Sequence, residues 1–96
     1  MESQIPRAEV LEAALLRILR AHSNGMHANE MEQAVIDYLN LPLEVLSIKR
    51  SDGRNELGYR LAWIRTKAKN KQLLARLDHG VWVLTENAIQ LIEPAK

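Results

Sequence analysis

Two amphipathic helical stretches, a third helix rich in positive charge, and two strand-length apolar runs about a glycine-containing turn predict a mainly α fold with a small antiparallel β-hairpin. A helix that runs straight into a hairpin, in a small helical chain, is the sequence form of a winged helix-turn-helix. The segment that carries this form is Arg54–Thr85, and the rest of the 96 residues reads as its support within one domain.

The first helix is expected from Pro6 to His22, after a loose arm over Met1–Ile5. Pro6 suits the first helical position, Glu9 and Glu12 fall where they complement the helix dipole, and Ser23-Asn24-Gly25 stops the helix. Leu11, Ala14, Leu15, Ile18 and Leu19 form one apolar ladder. Met26-His27-Ala28 is a stub that can join the hairpin as a third strand. A second helix over Glu30–Leu39 follows, with Asn29 and Glu32 spaced as a capping box and Asn40 and Pro42 ending it.

Residues 41–54 are the least defined part. Pro42–Leu46 suits one helical turn and Ser51-Asp52-Gly53 a tight turn. The third helix, Asn55–Lys71, buries a narrow stripe of Leu57, Leu61, Ile64 and Ala68. Its far side holds Asn55, Tyr59, Ala62, Thr66, Lys69 and Asn70, with Arg65 and Lys67 on the flanks. Leu73–Leu77 and Val81–Leu84 are the expected strands, joined by Asp78-His79-Gly80. Thr85 caps a short last helix that Pro94 ends, so the domain is drawn as 1–93, with 94–96 the start of a tail or linker.

Net charge is only +1, but its distribution is uneven. Residues 49–71 hold eight basic and two acidic side chains, a surplus of six, while residues 1–48 hold three basic and seven acidic. Such a concentration on one element is an electrostatic footprint for nucleic acid. A helix of this length spans about 24 Å and fits a major groove about 12 Å wide. Arg54, Asn55, Tyr59, Thr66 and Lys69 are the candidates for the outer face, Arg65 and Lys67 for phosphates, and Arg76 and His79 for the wing. Arg50, with Lys49, brings the preceding loop within reach.

Trp63 and Trp82 could stack on a base, but both lie in apolar stretches of a chain without Phe, and the core is their expected place. Arg60, at the edge of the core stripe, either buttresses the fold or reaches DNA.

Other classes find little support. With no Cys, disulfides and thiolate metal sites are excluded, which fits a cytoplasmic protein. His22, His27 and His79 have no metal-ligand spacing, so no metal or cofactor is expected. The acidic, polar N-terminus is no signal peptide, and the apolar runs are too short to span a membrane. No nuclease-like Asp with Glu-x-Lys, no Ser/His/Asp ordering and no phosphate-binding glycine loop is present, so no enzyme is expected within these residues.

Together, Ile5-Pro6, Ser51-Asp52-Gly53-Arg54, Arg60-Leu61-Ala62-Trp63, Leu73-Leu74 and Gly80-Val81-Trp82-Val83-Leu84-Thr85 resemble the N-terminal winged-helix domain of Mrr-type, modification-dependent restriction proteins. The resemblance covers about Ile5 to Glu93. It implies a module that reads double-stranded DNA, including methylated DNA, with a covalently linked nuclease domain beyond it. Homodimerisation is compatible with it. The sequence departs from the family pattern at Gln72, where a Gly commonly precedes the first wing strand, and at His79-Gly80, where Arg-Gly is common. It departs again near Ala88, which replaces a Gly after the final Thr. The first and third departures suggest altered local geometry, and the second puts a groove-entering wing arginine in doubt. Two alternatives stay open: a winged-helix transcription regulator, and a winged helix used for protein–protein contact or dimerisation.

Overall fold

The computed structural model describes residues 5–92 and has the expected architecture, a helical core edged by a three-stranded antiparallel sheet. In order, α1 is Ala8–Arg20, β1 Met26–His27, α2 Ala28–Leu39, α3 Leu43–Leu46, α4 Glu56–Asn70, β2 Leu74–Arg76, β3 Val81–Leu84 and α5 Glu86–Ile92. No helix among the described residues is long and apolar enough to cross a membrane.

The predicted stripes are the core. Leu11, Leu15 and Leu19 of α1, Met31 and Val35 of α2, and Leu57, Leu61, Ile64 and Ala68 of α4 are buried together. Sequestering such side chains contributes roughly 1.5–3 kcal/mol each, which is what fixes α4 against α1 and α2. Ile5 packs against this cluster, so the chain is anchored earlier than a loose arm through Ile5 allows. The expected stop at Pro94 and the linker after it lie outside the described residues.

Two helices end on the same device. Asn40 (φ 55°) and Gln72 (φ 63°) are left-handed. The amides that follow reach back, Leu41 to the Ile36 carbonyl and Leu73 to the Ala68 carbonyl. Both are Schellman closures, where Gly or Asn is the usual occupant. Gln72 thus reaches the left-handed geometry without the glycine that the resemblance implies there.

The start of α2 differs from expectation. The helix begins two residues earlier, and the backbone N–H of His27 donates to Glu30 at 2.9 Å. The Asn29–Glu32 pair is therefore not the capping box. Asn29 accepts instead from the Glu30 amide, and Glu32 is released to face α4.

Strand order is β1-β3-β2, with Met26 opposite Trp82 and Arg76 opposite Trp82 on the other edge. The stub therefore does join the wing. Gly25 allows this: at φ +88° it lies so close to β3 that a Cβ would stand 2.6 Å from Val81 and Val83 methyls and 2.7 Å from the Trp82 carbonyl oxygen. Across the tip, Leu77 donates to Val81 at 2.7 Å and His79 takes a left-handed φ of 64°. Thr85 bridges wing and last helix, donating to the Gln72 carbonyl and accepting from the Ala88 amide.

Candidate nucleic-acid interface

The outer side of α4 begins with its own N-terminus. The Asn55 side chain accepts from the Gly58 amide at 2.9 Å and donates to the Leu46 carbonyl at 2.8 Å. One side chain thus caps α4 and ties it to α3. A residue expected among the base readers has both polar ends engaged in building the helix start.

The connection before α4 is an ordered tight turn. Lys49 bridges Asn55, Arg50 donates from its backbone to Arg54 at 2.7 Å, and Glu56 donates to the Ile48 carbonyl at 3.0 Å. The turn is bound to α4 by side chains as well. The Arg50 guanidinium lies 3.6 Å from the Tyr59 ring centroid and forms an ion pair with Glu56 at 3.2 Å. Arg54 lies 5.5 Å from the same ring. A guanidinium over an aromatic face gains roughly 0.5–2 kcal/mol, more when water is excluded. Arg50, Arg54 and Tyr59 are thus brought together, with Trp63 edge-on to Tyr59 at 6.4 Å.

Acidic residues hold this cationic group in place. Asp52 pairs with Arg54 at 2.8 Å and accepts from the Arg54 backbone amide. That backbone hydrogen bond, then the guanidinium, lowers the Asp52 pKa from its ordinary value, while the Arg54 pKa is raised by Asp52. Glu56 serves both Arg50 and Arg60, the latter at 3.0 Å. Arg60 thus buttresses α4 through Glu56 while remaining exposed.

Further along α4, Thr66, Lys67 and Lys69 are exposed, with the Thr66 hydroxyl donating back to the Ala62 carbonyl. Lys71 spans to Glu12 of α1 at 2.7 Å, fastening the end of α4 to the core. Arg65 points elsewhere. It is half-buried, with its guanidinium 5.7 Å from the Trp82 ring, and burial lowers its pKa despite the opposing charge of Glu32. Its position joins α4 to the wing and separates it from the outer-face cations.

Arg76 and His79 stand exposed on the wing. A Cβ at Gly80 would lie 3.8 Å from an Arg76 guanidinium nitrogen and 4.0 Å from Nδ1 of His27. The wing tip therefore gathers Arg76 with His27, an exposed strand residue whose sequence position gives no sign of this neighbour.

The two tryptophans part company. Trp82 is buried at 9% exposure, as expected, but Trp63 is 54% exposed, and its expected place in the core is corrected. Its helical angle is the reason: it shares the outward stripe of Tyr59, and apolar character cannot turn it inward. The wheel held that signal; burial preference overrode it.

No curated protein and no solved structure matches the chain. The family model of the Mrr N-terminal domain matches residues 10–93, nearly the whole chain, and the chain belongs to that family, which links it to restriction systems.

Proposed function

We propose that this domain binds duplex DNA through the outer face of α4 and the turn before it, as the target-recognition part of a restriction system that reads modified DNA. The observation that carries the reading is the charge surplus of residues 49–71, shared between α4 and the turn before it, on a helix whose opposite face is fully committed to the core. Arg54, Lys67 and Lys69 meet phosphates, while Tyr59, Ala62 and Thr66 offer apolar and hydroxyl groups to base edges. Arg50 acts by stiffening Tyr59 and the turn, and Asn55 by fixing the start of the helix. Arg65 braces the wing, which contributes a minor contact through Arg76 and His79. The binding unit runs through residue 93 and works in the cytoplasm. Cleavage belongs to a covalently linked nuclease domain.

Fluorescence anisotropy over a salt series tests the binding. The logarithm of affinity should fall with that of salt concentration by roughly 0.9 for each phosphate neutralised. A flat response, or no binding, defeats the proposal. Matched duplexes carrying N6-methyladenine, 5-methylcytosine or no modification test the finer part; equal affinity for all three removes modification reading and favours a transcription regulator. The exposed Trp63 favours one other reading, a protein-binding face, for which salt dependence would be weak.

A further inference from the structure

The flank of α4 that faces α1 offers a second surface. An open cleft of about 510 Å³ lies between the two helices, within the volume range of about 300–1,000 Å³ seen for ligand pockets. Its floor is Leu11 and Ile64, its wall Tyr59 and Trp63, and its rim Arg60 and Lys67. Among the described residues, no carboxylate lines it. Lys67 has no ion-pair partner among the described residues, whereas Arg60 is partly neutralised by Glu56.

Trp63 lines a smaller cleft as well, of about 270 Å³, with Arg54, Ala62 and Thr66. Its ring is therefore a ridge between the outward face of α4 and the larger cleft. An apolar floor, an aromatic wall and a cationic rim complement a flat aromatic ring that carries negative charge. Base stacking on aromatic side chains is indifferent to base identity, because every base has a π-face.

We propose that this cleft receives an unpaired nucleobase, stacked on Trp63, with its phosphate held by Lys67 and Arg60. The proposal rests on the duplex-binding reading, because a duplex on the outer face brings one strand to the Trp63 ridge. A base that is bulged or mismatched costs least to withdraw from the stack, so such positions are favoured.

The test uses three DNAs of one sequence: a matched duplex, the same duplex with a single bulged adenine, and the single strand. Trp82→Phe leaves Trp63 as the sole tryptophan reporter. If that variant does not fold, the wild-type signal minus that of Trp63→Ala serves instead. The bulged duplex should bind at least about fivefold tighter than the matched one, the lower end of what one stacked base contributes, and should quench Trp63 emission. Lys67→Ala should reduce this preference, and Trp63→Ala should bring the ratio close to one.

A ratio near one with Trp63 unquenched, while the matched duplex binds with a steep salt dependence, overturns the cleft proposal alone. No binding to any of the three DNAs overturns the duplex reading with it. Blue-shifted Trp63 emission shielded from acrylamide in the free protein would show that a protein segment or second copy fills the cleft, and overturns the proposal too.

Discussion

Replacing Asn55 by alanine removes two hydrogen bonds at once, and the structure assigns a size to each. The Oδ1 cap on Gly58 is worth about 1 kcal/mol, as N-caps usually are. The lost Nδ2 donor leaves the Leu46 carbonyl unpaired at a half-buried site, where roughly another 1 kcal/mol is the low end of the desolvation cost. Asn55→Ala should therefore destabilise the domain by about 2 kcal/mol, lowering Tm by roughly 8–16 °C for a domain of this size. Asn55→Asp keeps the capping oxygen but puts an acceptor against the Leu46 carbonyl, so it should recover only part of the loss. Urea denaturation followed by circular dichroism reads both variants, with a lower midpoint at unchanged slope. An Asn55→Ala protein within about 0.5 kcal/mol of wild type that nonetheless loses duplex affinity would refute the reasoning and make Asn55 a base reader.

Three other substitutions probe separate features. Gly25→Ala forces a Cβ onto the backbone and methyl groups of β3 at a left-handed φ, and should cost at least about 3 kcal/mol in chemical denaturation; a loss below 1 kcal/mol would mean that the β1 turn is not fixed against the wing. Gln72→Gly relieves a side chain held at φ 63° and should stabilise by about 1 kcal/mol, visible as a higher Tm, whereas a lower Tm would contradict the Schellman assignment. Asp52→Asn removes the carboxylate that occupies Arg54 and should tighten duplex binding, with a salt slope steeper by up to about 0.9; unchanged or weaker binding would show that the clamp presents Arg54 rather than restraining it.

The same clamp has a pH sign. Because the Asp52 pKa is lowered in the folded protein, its contribution is present above the ordinary carboxylate range and is lost as pH falls through the folded value. The pair is exposed, so acid should alter the freedom of Arg54 more than the stability of the fold.

The legible parts of this protein were those set by periodicity. The stripe Leu57-Leu61-Ile64-Ala68 is wholly buried because a 3.6-residue repeat allows only one side to face inward. The Pro42–Leu46 turn was also readable from local composition, whereas the two-residue β1 was suggested only by the winged-helix order of the chain. The start of α2 was not. His27 is a poor capping residue by itself, and Asn29 with Glu32 presented a better local pattern two residues late. Glu32 is drawn away by a tertiary approach, beside a glycine at position 58 where a Cβ would stand 2.9 Å from its carboxylate. The Arg50–Tyr59 stack was hidden for a similar reason. Those residues are nine apart, and they meet only once the 49–55 turn folds back on α4. Charge told that Arg65 is basic, but the ring of Trp82, brought by β3, decides which way it leans.

The placing of β3 at the centre of the sheet has a consequence for how the protein is made. Its two neighbours, β1 and β2, are both synthesised before it, and β1 is separated from it by more than fifty residues. The sheet therefore cannot begin to assemble from the N-terminus. On a ribosome that adds about 5–20 residues each second, α1 and α2 emerge seconds before, and α4 about a second before, the strand that packs on Gly25 and Arg65. Helical contacts of short range can form in that interval, and the long-range strand pairing comes last. The helix with the cationic outer face is thus made first, and the strand that meets it through Trp82 and Arg65 arrives with the final quarter of the chain.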